Sequence, residues 1–164
     1  MTQKQALALV RKLINDEQAT GFTEGGNLEE PEGTQELLNY LDRAVDEYSK
    51  RQAANKDLRL VKRMNITDGM DLPDEFIAFC GVVPVTVEDK TVTTFFPDIT
   101  MPIRYFARLP YISGFSEDDA LPYDNDQYMT ITALAAIYAL NKHEYNVSQD
   151  LALLGMGVQN ADTQ

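Results

Sequence analysis

The chain is short of almost everything that covalent chemistry at a protein site requires. It has one cysteine, Cys80, one histidine, His143, and no tryptophan. A single cysteine rules out an intramolecular disulfide, and one Cys with one His makes a zinc site hard to build. The setting Phe79-Cys80-Gly81-Val82 reads as a small apolar thiol packed in a core, not a nucleophile. His143, in Asn141-Lys142-His143-Glu144, has no Ser or Cys motif around it and reads as a solvated residue near a helix end. Gly25-Gly26 is not followed by Lys-Ser or Lys-Thr, so the phosphate-cradling loop is missing. Basic residues are scarce too: 14 Lys and Arg stand against 26 Asp and Glu, a formal net charge of -12. That balance argues against a protein that grips nucleic acid through phosphate contacts, though not against one past which DNA slides. No apolar run approaches the roughly 20 residues that a membrane crossing takes. No basic, apolar leader opens the chain, so the expected site of synthesis is a reducing cytoplasm, with no membrane partner.

What the chain does have is one over-apolar helix. Tyr128 to Leu140 reads YMTITALAAIYAL, with hydrophobic residues on nearly every face. A surface helix shows one apolar stripe; this one must be enclosed, by the rest of the chain or by other chains. The other helical segments are amphipathic. Thr2 with Gln5 has capping-box spacing and opens a helix to about Asp16, whose Ala6, Leu7, Val10, Leu13 and Ile14 share a face. Thr34 is placed to cap a second helix that runs to about Asn55, with the stripe Leu37, Leu41, Ala44, Val45 and Tyr48. Between them, residues 20–34 are rich in Gly, Pro and Glu and are expected to form a flexible linker.

The middle of the chain changes period. Leu58 to Ile66 leads to the turn Thr67-Asp68-Gly69, and Leu72-Pro73-Asp74-Glu75-Phe76 reads as a short helical turn with Pro at its first position. Phe79 to Glu88 is Val-rich with Pro84 inside, which points to an edge strand or a bulge. Glu88-Asp89-Lys90 separates it from Thr91 to Phe96 in the manner of a hairpin, and Ile103 to Leu109 follows as a further strand. The expectation is an α+β fold: mainly a helical bundle, with a small antiparallel sheet of three or four strands inserted between N-terminal and C-terminal helices. At 164 residues the chain fits one domain, 1–164, closed by a short helix at Val147 to Leu154 and a flexible tail, 155–164.

The loop from Ser113 to Asp126 is rich in carboxylates. Glu117, Asp118, Asp119, Asp124 and Asp126 are hard oxygen ligands, but Asp124-Asn125-Asp126 lacks the alternate spacing and the sixth-position Gly of an EF-hand loop. A solvated loop in which Asp124 or Asp126 caps the apolar helix is the stronger reading, and a hydrolase built on these carboxylates the weaker one. No catalytic, cofactor or metal residue is therefore assigned, and the chain is not expected to be an enzyme.

The order of these segments resembles a known family. Leu37-Leu38-Asn39-Tyr40-Leu41-Asp42-Arg43-Ala44-Val45-Asp46-Glu47-Tyr48 is followed by Leu72-Pro73-Asp74-Glu75-Phe76, Gly81-Val82-Val83-Pro84-Val85, Pro102-Ile103-Arg104-Tyr105-Phe106, an acidic loop and the helix Ala133 to Tyr145. Over roughly Thr34 to Leu154 this is similar to the head-to-tail connector, or adaptor, proteins of tailed bacteriophages. The resemblance implies a virion protein of the neck, made in the bacterial host. It would form a ring, usually of twelve copies, beneath the portal protein, with a tail or neck protein on its far side. Viral DNA would pass through the channel without sequence-specific binding. It also implies a C-terminal portal-docking arm, here Leu151, Leu153, Leu154, Met156 and Val158. The apolar helix supplies candidate subunit-interface residues, Tyr128, Ile131, Leu134, Ile137 and Tyr138, since a closed ring needs two complementary faces per subunit. A rival from another class is a small acidic DNA mimic that inhibits a host nucleic-acid enzyme. It requires acids aligned at phosphate-like spacing, whereas here Lys and Arg are interspersed among them.

Overall fold

The computed structural model describes residues 1–14 and 31–142. Within them lie three helices, α1 (Gln3–Leu13), α2 (Pro31–Ala54) and α3 (Asn125–Lys142). Five strands lie between the second and third helices: β1 (Val61–Ile66), β2 (Phe76–Phe79), β3 (Val85–Glu88), β4 (Thr91–Thr94) and β5 (Met101–Ala107). The fold is α+β, with antiparallel sheet set between the N-terminal and C-terminal helices. Where composition alone fits one domain, the chain divides into two compact units: a helical unit of Met1–Val45 with Tyr111–Gln164, and a β unit of Asp46–Pro110 inserted within its sequence.

In the helical unit, α1 is capped as its sequence dictates. Thr2 Oγ1 accepts the Gln5 N–H and Gln5 Oε1 accepts the Thr2 N–H, the reciprocal capping box. Ala6 and Val10 are fully buried, while Leu13 at the end of the stripe is exposed. The expected linker is shortened at its end. Residues 31–34 belong to α2, so Thr34 lies inside the helix and is not its cap; Pro31 takes the first helical position, where a missing N–H costs nothing. Thr34 Oγ1 instead accepts from Arg11 at 3.2 Å. Residues 20–30 of that linker, the helix at 147–154 and the tail 155–164 lie outside the described residues. Helix α3 opens with a second reciprocal cap: Asp124 Oδ1 accepts the Gln127 N–H at 2.8 Å, and Gln127 Oε1 accepts the Asp124 N–H at 2.9 Å. Asp124 is thus the cap, and Asp126 sits in the first turn, where its charge suits the helix dipole.

In the β unit, β5 is the centre of a three-stranded antiparallel sheet ordered β1-β5-β2. Its side chains alternate. Ile103, Tyr105 and Ala107 pack with Ile66, Leu72 and Val92, whereas Phe106 packs with Ala53 at the end of α2 and Leu60. The strands number five in two sheets, not three or four in one. Residues 72–76 explain the difference. The expected helical turn makes one i→i+3 bond, Phe76 N–H to Pro73 O at 2.9 Å, because the Leu72 N–H is given to Lys90 O and Phe76 pairs with Ala107. Phe76 therefore starts a strand. The Val-rich run splits at Gly81, whose φ of 115° interrupts the extended backbone, and Pro84 precedes β3 instead of lying within it. The β3–β4 hairpin forms where expected. Asp89 and Lys90 take φ of 47° and 72°, the two positive values a type I′ turn needs. Segment 69–72 then hydrogen-bonds along the outer edge of β4, through Gly69 N–H to Val92 O and Val92 N–H to Met70 O, both 2.8 Å.

Helix α2 ends in a left-handed cap without glycine. Lys56, at φ 59°, donates to Ala53 O, and Asp57 donates to Gln52 O, the paired bonds of a Schellman motif. Lys56→Gly should remove the strain of a side chain in that region and stabilise the protein by up to about 1 kcal/mol, read as a raised denaturation midpoint. Asp124→Ala should cost about 1 kcal/mol by losing the α3 cap, measured in the same titration.

Candidate interaction surface

The over-apolar helix is enclosed by its own chain. Ile131 and Leu134 are 0% exposed, Tyr128 3% and Ile137 7%, and Ala135, Ala136 and Ala139 are buried with them. Even its polar members are turned inward: Thr132 is buried and returns its hydroxyl proton to Tyr128 O at 2.9 Å. Tyr138 is half-buried, its ring under the Arg43 guanidinium at 4.2 Å. Of the interface candidates, Tyr128, Ile131, Leu134 and Ile137 are thus buried by their own chain, and Tyr138 is half-buried. Met129, at 46%, is the one large apolar side chain that α3 leaves exposed among the described residues. The portal-docking candidates Leu151, Leu153, Leu154, Met156 and Val158, like His143, lie outside the described residues.

The loop from Ser113 to Asp126 is also tied down within the chain, so ordering on assembly is not needed to shape it. Buried Gln3 donates to Ile112 O at 3.0 Å and Phe115 O at 2.8 Å. Lys4 N–H reaches Glu117 O, and Leu121 N–H reaches Met1 O. Asp42 accepts from both the backbone and the hydroxyl of Ser113. The start of α1 thus holds this loop. Two of its carboxylates are spent locally: Asp124 caps α3 and Asp119 accepts the Ser116 N–H at 2.9 Å. Among the described residues no three His, Cys, Asp or Glu side chains gather as a metal site.

Exposed apolar surface lies elsewhere, on the β unit. Val82 is fully exposed, Phe95 is 67%, Phe96 51% and Ile99 52% exposed, and Val87 on the hairpin is exposed as well. Three of them, Phe95, Phe96 and Ile99, fall within five consecutive residues. Sequence periodicity points away from them, because Phe95 and Phe96 continue a β-prone run whose strand ends at Thr94, with one further bond from Phe95 N–H to Pro84 O at 3.2 Å. Nearby, Cys80 is a half-buried free thiol whose pKa is raised by burial, against a smaller opposing pull from Arg104. A thiol held protonated in this way is a poor nucleophile.

Several carboxylates of the β unit are matched to partners. Asp57 is held below its ordinary value chiefly by hydrogen bonding to Arg59, the pair standing at 2.7 Å. Glu75 is lowered first by its own backbone N–H and then by Lys62, at 3.4 Å, and the Tyr105 hydroxyl. Burial, followed by Glu75, pushes Tyr105 up. Comparison with known proteins yields no match: no family model, no curated protein and no solved structure aligns with this chain.

Because Asp57 and Glu75 are depressed in the folded chain, the unfolded chain binds more protons as pH falls. Their stabilisation is present above the ordinary carboxylate values and is lost as pH drops through them, between about pH 5 and pH 3. Glu75→Gln should flatten that part of the stability–pH curve while changing little in acid, as read by thermal unfolding across the range. Pairs this exposed contribute modestly.

Proposed function

We propose that the chain is a structural virion protein, a head-to-tail connector that extends the portal channel of a tailed bacteriophage and joins the DNA-filled head to the tail. It assembles as a ring, with portal protein on one side and a tail or neck protein on the other, and carries out no covalent chemistry. The observation that carries this reading is the order of segments that resembles the connector family. Its expected architecture, helices with a small β element between them, is the one this chain adopts. The apolar side chains at Val82, Phe95, Phe96 and Ile99 add support, since a subunit that must bind neighbours needs such surface outside its core. The helical core argues neither way, because α3 is enclosed by a single chain. Net charge of -12 suits a wall past which phosphate moves without sticking.

Electron microscopy and mass spectrometry of purified virions test the proposal. The chain should be found at the neck in ring copy number, and should bind isolated portal particles when mixed with them. Virions without it, together with portal particles that stay bare, would sink the reading. Phe95→Asp with Phe96→Asp should leave stability within about 0.5 kcal/mol, as expected of exposed positions, yet reduce incorporation into particles. In contrast, Leu134→Ala should cost about 2–5 kcal/mol at any protein concentration, since it opens a cavity within one chain.

A further inference from the structure

The register of the sheet sets two like charges face to face. Arg63 on β1 lies directly opposite Arg104 on β5, and both are exposed. Like charges so opposed destabilise an antiparallel pair. Four other cations of the β unit meet carboxylates: Arg59 with Asp57, Lys62 with Glu75, Lys90 with Asp74 and Arg108 with Asp46, at 2.7 to 3.4 Å. Arg63 and Arg104 have no such partner among the described residues. They line a cleft of about 880 Å³ together with Asn65, Pro102 and Val82. A second cleft of about 590 Å³ shares Arg104 and Cys80 with the first and adds Lys50 and Lys56. No carboxylate lines either cleft. The result is a basic groove with apolar walls, in a strongly acidic protein.

The opposite charge is concentrated on the other unit. Residues 46–110 carry nine Lys and Arg against ten Asp and Glu, a formal -1; the rest of the chain carries five against sixteen, -11. Within the helical unit, Glu117 and Asp118 are exposed and make no ion pair among the described residues.

We propose that the Arg63–Arg104 groove receives the acidic loop around Glu117 and Asp118 of a second copy of this chain. Two guanidinium forks suit two carboxylates, and apolar walls exclude water from the contact. Groove and loop are different surfaces, so each copy gives one and receives one. Such a heterologous contact propagates head to tail and closes into a ring where the rotation allows. The ring itself rests on the connector reading, whereas the contact is a property of the purified chain. Nucleic-acid phosphate is the other anion this chemistry fits, but a few cations on a chain of net charge -12 give it little counterion release to work with.

Two measurements decide the matter. Asp118→Cys places a second thiol beside the native Cys80 of the groove, and oxidation should give a ladder of disulfide-linked multimers. Adding Arg63→Glu and Arg104→Glu should abolish that ladder. In sedimentation, Arg63→Glu alone should weaken self-association about tenfold or more, yet raise the melting temperature, because an opposed like pair becomes an ion pair. That opposite movement separates lost binding from lost folding. Full charge exchange, with Arg63→Glu, Arg104→Glu, Glu117→Lys and Asp118→Lys in one chain, should restore assembly. The proposal is overturned by a wild-type chain that sediments only as monomer, by an internal disulfide in place of the ladder, by a ladder that survives the arginine reversals, or by duplex DNA that binds wild type and not the reversed variant. Virions lacking the chain would remove the connector reading and leave this contact standing; a monomeric chain found in virion necks would do the reverse.

Discussion

A helix without a polar face has to be enclosed, and the helical unit is built around meeting that demand within one chain. Helix α3 buries Tyr128, Ile131, Leu134, Ala135 and Ile137. Helix α1 packs against it, the amphipathic stripe of α2 contributes Leu37, Leu41, Ala44 and Val45 to the buried set, and the loop before α3 is drawn in by Gln3. Gln3 matters because it supplies a donor to the Phe115 carbonyl near a buried region and a second one to Ile112 O, which also accepts the Phe115 N–H. Two reciprocal caps, at Thr2 and Asp124, satisfy the N–H groups where α1 and α3 begin. Polar groups are thus settled at the ends so that the middle can be apolar.

The helices are satisfied within the helical unit, and most of the exposed large apolar side chains lie on the β unit. Its sheet is covered on both faces near Ala107, by Tyr105 with Val92 on one side and Phe106 with Ala53 on the other. Toward the Arg63–Arg104 pair that cover gives way to the basic groove. Val82 belongs both to the exposed apolar residues of this unit and to the lining of the groove that holds the paired arginines. A stretch of this kind has a cost in solubility as an isolated chain, which the strong negative charge offsets.

Much of the local structure was legible in the sequence because its causes are local. Thr2 with Gln5 announces a cap, Leu37 to Tyr48 a helix face, and a two-residue link between β-prone runs a hairpin. The α+β class follows from the order of these pieces. Legibility ends where tertiary pairing decides. Nothing in Phe76 marks it as a strand residue until Ala107 is beside it, and Thr34 looks like a cap until Pro31 is seen to start the helix earlier. The apolar excess of α3 is plain in the sequence, yet whether one chain or several would cover it depends on α1 and Gln3 lying against it. The candidate site was the least legible part. Arg63 and Arg104 are 41 positions apart, and only the register of β1 on β5 makes them neighbours.

The insertion of one unit within the sequence of the other also sets an order of events as the chain is made. Residues 46–110 close on themselves through β1, β2 and β5, and that sheet has all its strands once Ala107 has left the ribosome. The bonds of Gln3 span 109 and 112 positions, so α1 waits, uncovered, until the far side of the insert has been synthesised. Long-range closure of this kind is slow. The nascent helix α1 accordingly spends most of translation with Ala6 and Val10 in water, which makes it the segment on which a chaperone has longest to act.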